Sequence, residues 1–187
     1  MDRLPLHQDL YLIAHDKSGK AFVHPTSLSL GLAGAALLDR LLAEPFTPIG
    51  GRDPAPAALI KGAAAGGIYE RTREELLGSG VLVRVTGRRL GMLPYTRYEV
   101  ADIAAVVRAS SGVRAAVEGW KAPDARCAGL CGLVAVLRLE EQLYLDQPAA
   151  KLVARLREIA AGATPPVGEL VETVDTLVAE AAIAVYR

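Results

Sequence analysis

The sequence is poor in cysteine, in aromatic residues and in net charge. Only two of its 187 residues are cysteine, 5% are aromatic, and 21 basic side chains balance 21 acidic ones. A disulfide-rich scaffold is therefore excluded, and a formal charge of zero argues against a protein that coats DNA. The hydrophobic half of the chain is mostly Ala, Leu and Val. With so few aromatic residues, this mix favours close-packed helices over a β-sandwich.

Long apolar runs are also missing. The two longest uncharged apolar runs, residues 28–38 and 127–137, have eleven residues each, whereas a membrane-spanning helix needs ~20 apolar residues. The N-terminal segment lacks the basic start and the continuous apolar core of a signal peptide. We therefore expect a cytosolic protein, or one that is peripheral on a membrane from its cytosolic side.

No group of residues forms a recognisable catalytic or metal-binding motif. No Ser, Cys or carboxylate motif pairs with the three histidines, which are His7, His15 and His24. Cys127 and Cys131 are four residues apart in a helical pattern, so we expect two buried, inert thiols. We interpret Glu140 and Glu141 as a solvated helix face, and His24 as a residue that caps or packs. The prediction is no enzymatic activity, no catalytic residue, no metal and no cofactor.

The spacing of apolar residues predicts a mainly helical fold. Helices are predicted at residues 4–15, 27–43, 70–77, 99–118, 125–145, 148–162 and 164–187. Ser27 and Thr164 are the candidate N-caps of the second and the last of these, with Pro165 at the first helical position. The segment 99–118 is weak around Ser110 and Ser111, which leaves open one bent helix or two.

Two other segments have no helical pattern. The Pro- and Gly-rich residues 44–58 are predicted to form a loop with an edge strand near Ile49, and residues 20–23 a short strand. We find no internal repeat and no domain boundary. The prediction is therefore one domain, residues 1–187, built as a helical bundle around the apolar helix 125–145, with a projecting β-hairpin at about residues 81–98.

That hairpin, VLVRVTGRRLGMLPYTRY, is the most distinctive segment of the chain. Two short β-like runs are joined by Thr86-Gly87-Arg88-Arg89, and the segment contains four arginines and no carboxylate. Leu90, Met92 and Leu93 follow the arginine pair directly. A surface that combines cations with apolar side chains suits an anionic membrane or nucleic acid.

Five segments together resemble the Golgi phosphoprotein 3 family of peripheral membrane proteins, which has bacterial relatives. They are LPLHQDLYLIAHDKSGK, GLAGAALLDRLL, ELLGSGVLVRV, AAVEGWKAPDARCAGLCGLVAVL and the C-terminal segment with its two closing helices. Their order and spacing are similar to those of the family over nearly the whole chain, and the type is similar to the bacterial members.

The resemblance implies both a fold and a function. Members of the family are all-α bundles around a central hydrophobic helix, with a β-hairpin on one face. Eukaryotic members bind phosphatidylinositol 4-phosphate in a basic pocket, push the hairpin into the bilayer and act as adaptors that hold glycosyltransferases in the Golgi. No catalytic activity defines them. This chain is therefore expected to bind anionic, phosphoinositide-like lipid and to serve as an adaptor for client proteins.

The sequence departs from the family at the headgroup pocket. The position of the pocket tryptophan is His24 here, and the position of an arginine after the Gly-Leu pair is Ala33. The other basic residues of the pocket lie on the helix before the hairpin. We therefore expect a pocket that is absent or rebuilt and a hairpin that is retained. The predicted lipid-binding residues are Arg71, Arg73, Arg84, Arg88 and Arg89, and the predicted membrane-inserting residues are Leu90, Met92 and Leu93.

Two alternatives use the same hairpin. A short helix followed by a basic hairpin also resembles the recognition helix and wing of a winged-helix DNA-binding protein. Glu70, Glu74 and Glu75 on that helix would repel the DNA backbone, which makes nucleic acid an unfavoured partner. In the second alternative, the apolar residues of the hairpin pack against another copy of the chain, and the protein is an oligomerising interaction module.

Overall fold

The structure is a computed structural model that describes residues 3–43, 55–89 and 93–185. These residues form eight α-helices and one two-stranded antiparallel hairpin. The helices are α1 (Leu6–Ile13), α2 (Pro25–Ala43), α3 (Pro56–Ala65), α4 (Ile68–Gly78), α5 (Ile103–Val117), α6 (Ala125–Val136), α7 (Ala149–Ala161) and α8 (Pro165–Val185). The strands are β1 (Leu82–Arg89) and β2 (Leu93–Val100), between α4 and α5. The prediction of a mainly helical fold with a hairpin near residues 81–98 is confirmed.

Helix α6 is the central apolar helix of the bundle. Every residue from Cys127 to Val136 is buried, and the helix packs against α2, α7 and α8. Its N-terminus is capped by Asp124, whose carboxylate accepts a hydrogen bond from the backbone N–H of Cys127 at 2.7 Å. Gly132 allows close packing, since a Cβ there would lie 2.7 Å from a methyl group of Val171. Both cysteines are buried and free, as predicted.

The C-terminal end of α6 differs from the prediction. The helix ends at Val136 instead of near Leu145, because Arg138 adopts a left-handed conformation with φ of 56°. A short 3-10 helix, Glu140–Leu143, follows. The interpretation of Glu140 as a solvated residue is wrong: it is only 7% exposed. Its Oε2 atom is buried without a hydrogen-bond partner, whereas Glu141 is exposed as expected.

Helix α2 begins two residues earlier than predicted. Pro25 occupies its first position, and Nδ1 of His24 accepts a hydrogen bond from the backbone N–H of Thr26 at 3.3 Å. Ser27 is therefore inside the helix and not its N-cap, whereas the interpretation of His24 as a capping residue is confirmed. The sequence predicts no membrane-spanning helix here, because its uncharged apolar run, residues 28–38, has only eleven residues. By length and composition alone α2 could cross a membrane. However, 44% of that stretch is buried inside the protein, as in a core helix.

Two further segments differ from the prediction, and a third decides between the two alternatives left open for residues 99–118. Helix α3 occupies part of the expected loop, and the expected edge strand near Ile49 lies outside the described residues. Residues 20–23 contribute only one isolated bridge, between His15 and Ala21. The segment 99–118 contains a single helix, α5, which Asp102 caps by accepting from the backbone N–H of Ala105 at 3.1 Å. The helices predicted at 148–162 and from Pro165 onward are confirmed.

Candidate functional site

The hairpin is longer and closes later than the sequence predicted. The strands pair in register from Leu82 opposite Val100 to Arg89 opposite Leu93. The predicted turn at residues 86–89 is therefore wrong, because those residues belong to β1. The connection is made by residues 90–92, so Leu90 and Met92 lie outside the described residues. We call the Arg89–Leu93 end of the hairpin its tip.

The register divides the side chains of the hairpin between two faces. Residues directly opposite each other in an antiparallel pair point to the same side of the sheet, and neighbours along a strand alternate. The face that we call the inner face holds Leu82, Arg84, Thr86, Arg88, Pro94, Thr96, Tyr98 and Val100. The outer face holds Val83, Val85, Gly87, Leu93, Tyr95, Arg97 and Glu99.

Exposure differs between the two faces. At the bundle end of the inner face, Leu82 is buried at 3% exposed, while Arg84 and Arg88 reach solvent. On the outer face, Leu93 is 66% exposed and Val83 43%. Arg97 on this face forms an ion pair with Glu99. Among the side chains that the structure describes, the outer face is thus an exposed apolar surface whose arginine, Arg97, is paired with a carboxylate.

The inner face meets α4 through stacked cations and rings. The guanidinium carbon of Arg73 lies 4.3 Å from the ring centroid of Tyr98 and 5.6 Å from that of Tyr69. The guanidinium carbon of Arg84 lies 5.7 Å from the Tyr98 ring, and its Nη2 is 3.6 Å from Glu74 Oε1. Cation–π contacts of this kind stabilise a partly buried arginine. We call Arg73, Arg84, Tyr69 and Tyr98 the root cluster.

A buried histidine supports the root cluster from α1. The ring of His15 stacks on that of Tyr11 with centroids 3.9 Å apart. His15 Nδ1 lies 2.7 Å from the carbonyl oxygen of Tyr11, so this nitrogen donates, and Nε2 is left to accept from the hydroxyl of Tyr69 at 2.9 Å. Burial lowers the pKa of His15. The residue is therefore a satisfied neutral imidazole with a structural role.

The turn after α1 holds the other side of the hairpin. The backbone N–H of Val100 donates to the carbonyl oxygen of Lys17 at 3.2 Å. Gly19 has φ of 79°, and a Cβ at this position would lie 1.9 Å from the carbonyl oxygen of Tyr98. The carboxylate of Asp16 accepts hydrogen bonds from Ser18 and from the backbone N–H of Lys20, and those from Ser18 are the main reason that the pKa of Asp16 is lowered.

The structure brings together only some of the predicted lipid-binding arginines. Arg73 and Arg84 meet at Tyr98 in the root cluster, whereas Arg71 donates a hydrogen bond to the carbonyl oxygen of Gly66 at 3.0 Å, beside the end of α3. Arg88 lies on the exposed inner face near the tip, and Arg89 pairs with Leu93. The predicted arginines therefore line the length of the hairpin and its root and do not surround one pocket.

The two positions that correspond to the family pocket have other tasks here. Ala33 is a core residue of α2 at 2% exposed, and His24 caps the same helix. Sequence reasoning also missed Tyr69, Tyr98 and Glu74. Tyr69 and Arg73 share the i,i+4 spacing of a helical pair, but the contact with Tyr98 depends on strand register. Within the described ranges, no group of three or more His, Cys, Asp or Glu residues could hold a metal ion.

Comparison with known families identifies the fold. A family model described as Golgi phosphoprotein 3 (GPP34) matches residues 39–181. This stretch is well over half of the chain and contains α4, the whole hairpin and the central helix α6. No curated protein matches the chain. The resemblance inferred from the order of the five sequence segments is confirmed, and the chain belongs to the Golgi phosphoprotein 3 family.

Proposed function

We propose that this chain, acting as one domain over residues 1–187, is a non-enzymatic peripheral membrane protein that docks reversibly on anionic lipid through its hairpin. Members of the family are generally non-enzymatic, associate peripherally with Golgi membranes, and bind phosphoinositide lipids and partner proteins. The observation that carries the proposal for this chain is the hairpin itself, with exposed arginines on its inner face and exposed apolar side chains on its outer face.

The separation of the two faces favours docking tip first. A hairpin that lay flat on a membrane would present either Arg88 or Leu93 to lipid, but not both. Near the tip these two residues lie at almost the same distance from the bundle, because Arg88 pairs with Pro94, the neighbour of Leu93. Tip-first entry brings the cation to the phosphate layer while the apolar side chain enters the acyl region. Leu90 and Met92, between the strands, would enter first.

The expected affinity is modest. Arg84 is partly neutralised by Glu74 and Arg97 by Glu99, which makes exposed Arg88 the main cation among the described side chains of the hairpin. Arg89 adds a second positive charge to the sequence of the tip. Each of these two cations contributes roughly 1 kcal/mol near an anionic surface. Each buried apolar side chain adds ~1.5–3 kcal/mol before losses. The sum of several kcal/mol supports reversible binding that weakens as salt is added.

The root arginines are proposed as a second layer of lipid contacts. Arg73 and Arg84 are closest to a headgroup only when the hairpin is inserted along most of its length. Arg71, which contacts the end of α3, would add a separate basic contact. This order, tip first and root second, replaces the family pocket that His24 and Ala33 do not provide. We propose that the docked protein faces the cytosol and serves as an adaptor for client proteins.

Co-sedimentation with vesicles tests the proposal. Wild type is compared with R88E/R89E and with K121E/K151E, which reverses the same number of charges at exposed positions outside the hairpin. We expect wild type and K121E/K151E to pellet with vesicles that contain anionic lipid and not with neutral ones. Loss of two attractive cations predicts at least ~30-fold weaker binding for R88E/R89E. Equal pelleting of all three proteins, or none by wild type, would contradict tip-first docking.

The exposed outer face favours a second candidate, in which it packs on another copy of the chain. Leu93 at 66% exposed and Val83 at 43% are the observations behind it. Sedimentation-velocity measurement of wild type and Leu93→Gln distinguishes packing on another copy from docking on lipid. If wild type is a dimer and Leu93→Gln is a monomer, the outer face is an oligomer interface. If both proteins are monomers, lipid is supported as the partner of this face. The winged-helix alternative is disfavoured by exposed Glu70 and Glu74 on α4 and predicts salt-sensitive binding to random duplex.

A further inference from the structure

A polar cluster ties the N-terminal helix to three other helices, away from the root cluster. His7 lies on α1 with a side chain only 15% exposed. Its Nε2 is 2.9 Å from Oε2 of Glu75 on α4, and its Nδ1 is 3.8 Å from Oδ2 of Asp39 on α2. Gln8 donates a hydrogen bond to the same oxygen of Glu75 at 3.0 Å. The imidazole therefore lies between two carboxylates from different helices.

One guanidinium from the central helix completes the cluster. Arg126 on α6 pairs with Asp39, contacts Asp9 Oδ2 at 2.9 Å and donates to the carbonyl oxygen of Leu4 at 2.6 Å. Arg126 thus pairs with Asp9 and Asp39, whereas Glu75 contacts His7. The charge of Arg3 also acts on Asp9, and that of Arg71 on Glu75. No ion pair joins α5, which also packs on α1, to His7 among the residues that the structure describes. Protonation of His7 places a positive charge directly between the carboxylates of Asp39 and Glu75.

Only the imidazolium form of His7 suits both carboxylates. A neutral imidazole carries one N–H, so one of its nitrogens turns a lone pair towards Asp39 or Glu75 whichever tautomer is present. The Nδ1 atom is buried and has no hydrogen-bond partner, and an unpaired buried nitrogen next to a carboxylate is unfavourable in the neutral state. Protonation converts both contacts into attraction between opposite charges.

We propose that His7 is a proton-operated clasp that, when protonated, fastens α4 and the hairpin that follows it to α1 and α2. Glu75 lies in the last turn of α4, which ends at Gly78. The next residues connect directly to the hairpin, because the backbone N–H of Val81 donates to the carbonyl oxygen of Leu76 at 3.0 Å, just before β1 begins at Leu82. Opening of the clasp therefore loosens the helix on which the hairpin stands.

The direction of titration agrees with this geometry. Burial by itself lowers the pKa of His7, but the nearby carboxylate of Asp39, together with the hydrogen bond and the charge of Glu75, outweighs burial and leaves the pKa raised. The hydrogen bond from His7 is the main cause of a lowered pKa for Glu75, which the charge of nearby Arg71 also lowers. A raised pKa means that the stabilisation is complete below the unfolded value of about 6.5 and is lost as the pH rises through the folded value.

Hydrogen exchange in the absence of lipid tests the clasp. Protection of the amides of α4 and of the hairpin, normalised to intrinsic rates, is measured at pH 6.0 and pH 8.0. We expect wild-type protection in α4 to be greater at pH 6.0, by up to about tenfold for each unit of pKa difference. His7→Gln removes this excess of protection at pH 6.0 and leaves only the opposite dependence that His15 gives. His24→Gln keeps the excess, since His24 is exposed and caps α2. A ratio of protection between pH 6.0 and pH 8.0 that is the same in wild type and in His7→Gln would overturn the proposal.

A second variant keeps the test decisive if His7→Gln does not fold. Glu75 is 44% exposed, so Glu75→Gln removes one carboxylate with little effect on packing. We expect an NMR titration of the His7 imidazole to give a lower pKa in Glu75→Gln than in wild type, and an unchanged pKa would overturn the clasp.

The consequence for membranes is tighter docking in mild acid, and this consequence rests on the proposed function. Absence of vesicle binding at any pH contradicts that function, and the exchange experiment still decides the clasp.

Discussion

At the scale of single residues, Arg73 determines how the hairpin meets the bundle. Its guanidinium stacks on Tyr98 from β2 and on Tyr69 from its own helix. Arg71 on the same helix instead donates a hydrogen bond to Gly66 at the end of α3. Two arginines that a sequence presents as equivalent thus have different tasks, because residues two apart on a helix point in different directions.

Replacement of Arg73 tests this difference. We expect Arg73→Ala to lower the free energy of unfolding by about 1–2 kcal/mol, because it removes cation–π contact and packing by the aliphatic stem. The matched change Arg71→Ala, at an exposed position, is expected to cost about 0.5 kcal/mol or less. Urea unfolding followed by circular dichroism measures both. The fluorescence of Trp120 is a poor probe because this residue is 78% exposed. Equal losses in the two variants would contradict the role given to Arg73.

Glu140 is the residue whose environment the sequence concealed most completely. A Glu-Glu pair after an apolar helix is typical of a solvated face, but the left-handed Arg138 ends the helix and turns Glu140 inward. Whether an isolated residue takes a positive φ depends on packing around it, which no local pattern contains.

Glu140→Met is expected to stabilise the protein. Its buried Oε2 has no hydrogen-bond partner, and replacement of an unpaired buried carboxylate by an apolar side chain of similar size removes a desolvation cost of about 1 kcal/mol or more. Glu141→Met at the exposed neighbour is expected to change the free energy of unfolding by less than ~0.5 kcal/mol. Thermal and urea unfolding report both. A less stable Glu140→Met protein would show that the carboxylate has a partner in solution.

At the scale of elements, the sequence predicted most helices and the place of the hairpin, because apolar spacing and turn residues are local signals. It missed α3, where alanines surround a single buried side chain, Ile60, and no apolar stripe marks a face. It also placed the hairpin turn too early. Gly87 and the arginines suggested a turn, whereas Gly87 lies inside β1 against the ring of Tyr95. Register, and with it the two faces, could not be predicted without the true turn.

The strand register assigns each side chain of the hairpin to one face, so each face can be changed separately. Leu93→Gln/Tyr95→Gln changes the outer face, and Thr86→Gln/Thr96→Gln changes the inner face without altering charge. We expect the outer-face variant to bind anionic vesicles at least about tenfold more weakly, since it loses apolar burial worth ~1.5–3 kcal/mol per side chain at full insertion. The inner-face variant is expected to bind like wild type. Binding like wild type by both variants would indicate that charge alone drives docking, and equal loss in the two would contradict the assignment of the outer face as the inserting face.

At the scale of the whole molecule, His7 in α1 and His15 just after it make the free energy of unfolding depend on pH in opposite directions. His7 has a raised pKa and His15 a lowered one. The contribution of His7 is lost as the pH rises above about 6.5, and that of His15 is lost as the pH falls below it. Both side chains join α1 to α4, through Glu75 and Tyr69, so both dependences act on the same pair of helices.

We therefore expect the free energy of unfolding to be greatest near pH 6.5 over the range from pH 5 to pH 8. His7→Gln is expected to remove the decline on the alkaline side and to keep the decline on the acid side, where His15 still titrates. Urea unfolding at a series of pH values measures the curve, with His24→Gln as the control that keeps both sides. A curve that rises steadily to pH 8 in wild type would contradict the assignment of His7.

The close approach of Gly19 to the carbonyl oxygen of Tyr98 has a consequence for how this protein can change over evolution. Residue 19 accepts no side chain while β2 keeps its present position, and β2 cannot slide along β1 without bringing another residue to the same point. The turn at residues 16–20 and strand β2 are therefore expected to change only together, although most of the first half of the chain lies between them. A hairpin grafted into another helical bundle would need residues 16–20 grafted with it.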